Sequence, residues 1–160
     1  MSGVVALFPG TFDPVTRGHV DLILRAADLF DRVVVSMSAE GRATWFTVEE
    51  RVAFIRPLVA ARKNVAVEAF RGLVVEQARR HGAKVLVRGL RGSKDLEYEM
   101  PMALANREMS PGLETVFLAP SPGTTLVSSS LVRDVAALGG DVSAWVPEAV
   151  ARAVRQRKAT

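Results

Sequence analysis

Five short apolar runs, each followed by a stretch of different periodicity, limit most strongly what this chain can fold into. The runs are "VVALF" (4–8), "RVVVSMS" (32–38), "NVAVEAF" (64–70), "KVLVRG" (84–89) and "LETVFLA" (113–119). Rich in β-branched residues and nearly continuous in apolar character, they read as strands covered on both faces. Between them the spacing becomes helical. Val20, Ile23, Leu24, Ala27 and Phe30 recur at three and four. Thr47 and Glu50 form a capping box that opens "TVEERVAFIRPLVA". A helix from about Leu73 to His81 is expected to end at Gly82, and another lies between the fourth and fifth strands. The serines of "SSSLVRDVAALGG" are fit to cap a helix and its glycines to end one, and a basic amphipathic helix follows at the C-terminal side. Strand alternating with helix implies a parallel sheet with right-handed crossovers: an α/β fold with a doubly wound five-stranded sheet and helices on both faces. No composition break, linker or repeat divides residues 1–160, so one domain is expected.

Composition narrows the chemistry. With 49% hydrophobic residues among 160, the chain can bury a full core. It has no cysteine, which excludes disulfides, thiol nucleophiles and thiolate metal sites, and its two histidines, His19 and His81, are too far apart in sequence to suggest a zinc cluster. No apolar run approaches the ~20 residues of a membrane span, and "MSGVVALF" lacks the basic start of a signal peptide, so a cytoplasmic protein with no membrane partner is expected. The net charge of +4 comes without a lysine-rich block and suits either nucleic acid or small phosphorylated ligands.

In a doubly wound sheet the loops after the strands share one edge, where ligands bind. Here those loops are "PGTFDPVTRGH", "AEGRATWF", "RGL", "RGLRGSKDLEYE" and "PSPGTTLVSSS". They concentrate Gly, Ser, Thr and Arg, and so present amides, hydroxyls and guanidinium groups suited to phosphate. Neither G-x-x-x-x-G-K-[ST] nor G-x-G-x-x-G occurs in the first of them, which excludes a P-loop and the dinucleotide fingerprint. Thr16-Arg17-Gly18-His19 instead has the form T-x-G-H, with a small residue beside a histidine at a helix start.

Together with "PGTFDP", "FTVEER", "RGLRGSKDLEYE", "ANRE" and "SSSLVR", in that order over residues 8–133, this tetrapeptide makes the chain closely resemble the bacterial phosphopantetheine adenylyltransferases of the T/H-x-G-H nucleotidyltransferase superfamily. The resemblance implies a Rossmann-like nucleotidyltransferase fold and transfer of AMP from ATP to 4′-phosphopantetheine, giving dephospho-coenzyme A and pyrophosphate. It implies His19 as the transition-state stabiliser. It gives Thr11, Arg42, Val74 and Arg88 as acceptor-binding positions. For ATP it gives Thr11, Phe12, His19, Gly89, Leu90, Arg91, Glu99, and Thr124, Thr125, Leu126, Val127, Ser128, Ser129 and Ser130. Mg²⁺ would arrive on ATP with no metal held by the protein, coenzyme A would act as a feedback inhibitor, and the assembly would be a homohexamer. The chemistry fits independently, because a phosphate nucleophile is already ionised near neutral pH and needs no general base.

Each assignment has a plainer rival. His19 could simply start a helix, Arg88 and Arg91 could be solvated, the serines could only cap, and Glu99 could sit in a salt-bridged helical face. Asp95, Glu97 and Glu99 resemble a metal-binding group, but residues i and i+2 of a helix do not share a face. The chain also departs from the family pattern. Gly41 to Trp45 forms a shorter loop in which Arg42 is the best counterpart of a lysine. Thr124 stands where an aromatic is common, Arg17 replaces an Asn, and Pro101 should kink the helix after "EYE" or delay its start. Two further readings stay open. One is a sister adenylyl- or cytidylyltransferase with another acceptor, against which "RGLR" and "EYE" argue. The other is a basic nucleic-acid-binding module, disfavoured because Tyr98 is the only tyrosine and the arginines after the strands fall in loops, so no nucleic-acid partner is expected.

Overall fold

The computed structural model describes residues 3–40, 43–124 and 127–158. Its elements run β1 (Val5–Gly10), α1 (Arg17–Leu29), β2 (Arg32–Ser38), α2 (Val48–Val59), β3 (Val65–Phe70), α3 (Val74–His81), β4 (Val85–Gly89), α4 (Ser93–Met109), β5 (Glu114–Leu118), α5 (Ser129–Ala137) and α6 (Glu148–Lys158). The strands form one parallel sheet in the order β3-β2-β1-β4-β5. The expected doubly wound α/β architecture is therefore present, with the order reversing between β1 and β4.

Period-two alternation divides the core. Ala6, Phe8, Val33, Val35, Met37 and Val87 face one side with Ile23, Ile55, Val132 and Val150 from the helices packed on it. Leu7, Val34 and Leu86 face the other, against Val75, Ala78 and Leu113. Local signals set the element ends. Thr47 Oγ1 accepts from the Glu50 amide while the Glu50 carboxylate accepts from the Thr47 amide at 2.7 Å, the capping box read from the sequence. Gly82 ends α3 with φ +62°, a left-handed value that costs glycine little.

Two expectations change. The first strand runs on through Pro9 and Gly10, which pair with Ser36 and Met37 of β2. On its other side β1 pairs with β4 only at Ala6 and Leu7, so the two central strands part beyond Leu7 and a cleft opens at the switch point. Helix α4 begins promptly at Ser93 and continues through Pro101 to Met109. Pro101 lies on an exposed face, where water can take up the carbonyl that proline leaves without a donor.

Gly89, the last residue of β4, lets α1 approach the sheet: a Cβ there would stand 2.5 Å from Leu22 Cδ1. Gly89→Ala should force the buried Leu22 out of its packing and destabilise the protein by about 1–3 kcal/mol. Urea unfolding of the two proteins checks this, and an unchanged midpoint would show that Leu22 repacks freely.

Candidate active site

The parted ends of β1 and β4 floor a cavity of about 300 Å³, walled by the loop after β1, the start of α1, the start of α4 and the start of α5. A second cavity of about 250 Å³ lies beside it, lined more by apolar side chains such as Phe70, Val74, Leu86 and Met102. Thr11, Arg88 and Glu99 line both, so the two form one bilobed cleft with a shared wall.

His19 stands in the first lobe as the N3 residue of α1. Its amide donates to Thr16 Oγ1 at 3.3 Å, and its Nδ1 accepts from the Thr16 amide at 3.0 Å. An atom that accepts from an amide carries no proton. The neutral ring must therefore hold its hydrogen on Nε2, where it is a donor. Desolvation, then the Arg91 charge, then the Arg88 charge lower the imidazole pKa from 6.5 to about 4. Phe12, buried with φ +49°, packs edge-on to the ring at 5.2 Å and stacks on Phe8 at 5.9 Å.

Carboxylates hold the guanidinium groups in place. Glu99 grips Arg88 in a two-pronged pair, with Nε and Nη2 donating at 2.8 and 2.5 Å, while Nη1 donates to the Pro9 carbonyl. Three of the five N–H donors are thus used and two remain for a ligand. Asp95 holds Arg91 likewise through Nε and Nη2, both at 2.8 Å, leaving the Nη1 edge. Hydrogen bonding to Arg91 lowers the Asp95 pKa, and the same bond raises that of Arg91. Neither carboxylate is an available base.

The far wall is the start of α5. Ser128 caps the helix by accepting from the Leu131 amide at 3.0 Å, and Ser129 Oγ donates to the Pro14 carbonyl at 2.8 Å. The serine hydroxyls are thus mainly structural, while the first amides of α5 stand at the lobe as donors for an anion. Gly18 serves the same wall: a Cβ there would meet the Thr124 carbonyl at 3.0 Å, so the glycine lets the segment before α5 close over α1.

Of the positions singled out from sequence, Thr11, Phe12, His19, Arg88, Gly89, Arg91 and Glu99 line the first lobe, as do Thr124, Val127, Ser128, Ser129 and Ser130. Val74 lines the second. Leu90 lines neither, and its amide donates to the Leu118 carbonyl. Arg42, Thr125 and Leu126 lie outside the described residues. Among the charged lining residues, Asp13 and Arg133 were given no role from the sequence, and Asp95 was weighed only as one of a possible metal-binding group. Asp95 had a legible signal, standing four residues after Arg91 and four before Glu99, so that the two carboxylates share a helix face that Glu97 does not. Among the described residues no group of three or more His, Asp or Glu side chains could hold a metal ion.

A bilobed cleft with one donor-lined lobe at the switch point of a 3-2-1-4-5 sheet defines an α/β protein whose ligand edge suits phosphate-bearing molecules. Residues 7–135 match the family described as cytidylyltransferase-like. The phosphopantetheine adenylyltransferase of Alkaliphilus metalliredigens (strain QYMF) is 46% identical over 154 residues, which cover 96% of this chain and 98% of that protein. A solved structure from Vibrio parahaemolyticus, provisionally named a nicotinate-nucleotide adenylyltransferase, covers 96% of this chain and 99% of its own with a TM-score of 0.67; at 17% identity it shows the fold alone. The chain belongs to the cytidylyltransferase-like nucleotidyltransferases and, within them, to the family of the phosphopantetheine adenylyltransferases.

His19 should stay neutral well below the usual histidine range, with its ring carbon resonances titrating near pH 4. Because the folded pKa lies below the unfolded one, the unfolded chain binds the extra proton between pH 6.5 and 4. The His19 contribution to stability is therefore intact above pH 6.5 and drains away as pH falls toward 4. His19→Gln should lose that pH dependence, as read from denaturant melts across the window. A midpoint near 6.5 in the folded protein would contradict the desolvation of the ring beside Arg91 and Arg88.

Proposed function

We propose that this chain transfers AMP from ATP to 4′-phosphopantetheine, releasing pyrophosphate and forming dephospho-coenzyme A. The observation that carries this reading is the bilobed cleft, whose donor-rich lobe suits a nucleoside triphosphate and whose more apolar lobe suits a long thin arm, with Thr11 and Arg88 where the two meet. The 46% identity to a phosphopantetheine adenylyltransferase supports the choice of acceptor.

In this reading an oxygen of the acceptor phosphate attacks the α-phosphorus of ATP as the bond to the bridging oxygen breaks and pyrophosphate departs. No proton has to be removed, since a phosphomonoester with a second pKa near 6 is largely a dianion at neutral pH. The difficulty is to hold anions together and to stabilise charge on the α-phosphoryl oxygens. His19 donates Nε2–H to one of them, and the N–H of a neutral imidazole is too weak an acid to give up its proton, so it acts as a donor alone. The free edge of Arg91 and the first amides of α5 bind the β and γ phosphates. The Thr11 hydroxyl and the two unused donors of Arg88 orient the acceptor phosphate, and Arg42 adds a cation from the loop after β2. Val74 packs along the pantetheine arm. Phe12, Gly89, Thr124, Val127 and the start of α5 form the nucleotide side, while Glu99 acts on the acceptor side through Arg88.

Mg²⁺ enters on the ATP phosphates as part of the substrate, because Asp95 and Glu99 are committed to arginines. Coenzyme A carries both the adenylyl group and the arm, so it would compete by filling both lobes. We also propose a homohexamer, supported by an apolar surface on α4 where Leu96, Tyr98, Met102 and Leu104 are exposed. A reaction that draws on ATP fits the cytoplasm, and no helix of the described residues is long and apolar enough to cross a membrane.

Mixing the protein with MgATP and phosphopantetheine should release pyrophosphate and dephospho-coenzyme A in equal amounts, whereas pantetheine without its phosphate should not react. Comparable turnover of the unphosphorylated compound would contradict the mechanism. His19→Ala should lower kcat by about a hundredfold or more, the scale of one lost preorganised donor, with a smaller change in ATP affinity. An ATP dissociation constant that worsens as much as kcat falls would make His19 a ground-state binding residue instead.

A further inference from the structure

Arg51, in the second turn of α2, is only 3% exposed, yet none of the described carboxylates forms an ion pair with it. Its fork instead reaches three main-chain carbonyls. Nε donates to Phe46 O at 3.2 Å, and Nη1 donates to Thr11 O at 2.6 Å and to Ser38 O at 3.1 Å. These carbonyls belong to three separate pieces of chain: the loop after β1, the end of β2, and the loop that leads into α2. Thr11 and Ser38 both line the second lobe, and Thr11 belongs to the wall shared with the first. Carbonyl dipoles satisfy three of the five guanidinium donors, and the positive charge stays beneath that wall, countered in part by the carboxylates of Asp13 and Glu49.

We propose that Arg51 is a positioning residue for the acceptor: it fixes Thr11 and the end of β2 where the lobes meet, and lends that wall a positive charge that favours a phosphomonoester. The proposal rests on the transfer reaction above. A planar fork with separated donors spans carbonyls from three segments, which the compact head of lysine does not reproduce. A shift of the Thr11 wall by a fraction of an ångström would leave ATP held by α1, α4 and α5 while the acceptor phosphate lost its line to the α-phosphorus.

The test compares wild type with Arg51→Lys and Arg51→Gln, each shown to be folded by thermal melting. Arg51→Lys should lower kcat/KM for phosphopantetheine by about ten- to a hundredfold, the scale of a small misplacement of a reacting group, while the ATP dissociation constant stays within about twofold; losing the charge as well, Arg51→Gln should fall further on the acceptor side alone. Wild-type acceptor kinetics in both variants would overturn the proposal. So would an ATP affinity that weakens by the same factor as kcat/KM, which marks a merely structural role. A readout that needs no variant is the Arg51 Nε–H resonance, which should shift when phosphopantetheine saturates the wild-type protein and move less with ATP. An unmoved resonance would overturn the proposal even if both variants failed to fold. A wild type that makes no dephospho-coenzyme A would overturn the transfer reading; the same resonance, probed with inorganic phosphate, then decides the role of Arg51, with a shift supporting it and no shift overturning it.

Discussion

The buried carboxylate of Asp13 ties the cleft together. One oxygen accepts from the Trp45 amide at 2.8 Å and the other from the Phe46 amide at 2.9 Å, which joins the loop after β1 to the loop after β2. Arg133 of α5 reaches the same residue, donating to its main-chain carbonyl and standing 3.7 Å from its carboxylate. Ser129 adds a bond from α5 to Pro14, and the Arg17 amide donates to the Trp145 carbonyl. A buried charge without such partners would cost several kcal/mol, so the three segments are held in register by the need to satisfy it. The parting of β1 and β4 makes the cleft, and Asp13 fixes its walls.

On that frame the electrostatics are set before any ligand arrives. Arg88 and Arg91 are each held by a carboxylate, so their remaining donors are ordered at little further entropic cost on binding. The same pairing takes Glu99 and Asp95 out of consideration as bases. The hydrogen bond from the Thr16 amide fixes the histidine as a neutral Nε2–H donor. Among the described residues the cleft offers donors and cations, and its carboxylates are engaged by arginines or main-chain amides. In the proposed reaction the protein acts by alignment and charge stabilisation, in one direct transfer.

Much of this was legible in the sequence, and the reasons are local. The capping box of Thr47 and Glu50, the Gly82 terminator and the strand runs depend on neighbours a few residues away, and each is present. The two readings weighed for His19, helix start and donor to a ligand, are compatible: its amide and Nδ1 cap α1 while Nε2 is left over. What was missed depends on distant partners. Asp13 finds its amides 32 and 33 residues on, Arg51 finds Thr11 40 residues back, and Arg133 reaches Asp13 across 120 residues. The extension of β1 through Pro9 and Gly10 is set by pairing with β2 on one side only, and the passage of α4 through Pro101 by an exposed face. Neither is written in the local pattern.

The claim of one direct transfer is tested most directly by the stereochemical course at the α-phosphorus. ATP made chiral there by sulfur substitution would be turned over with phosphopantetheine and the configuration of the thio-substituted dephospho-coenzyme A determined. A single in-line displacement predicts inversion. Retention would mean two displacements through an adenylylated residue of the protein, and would contradict a cleft that works by alignment alone.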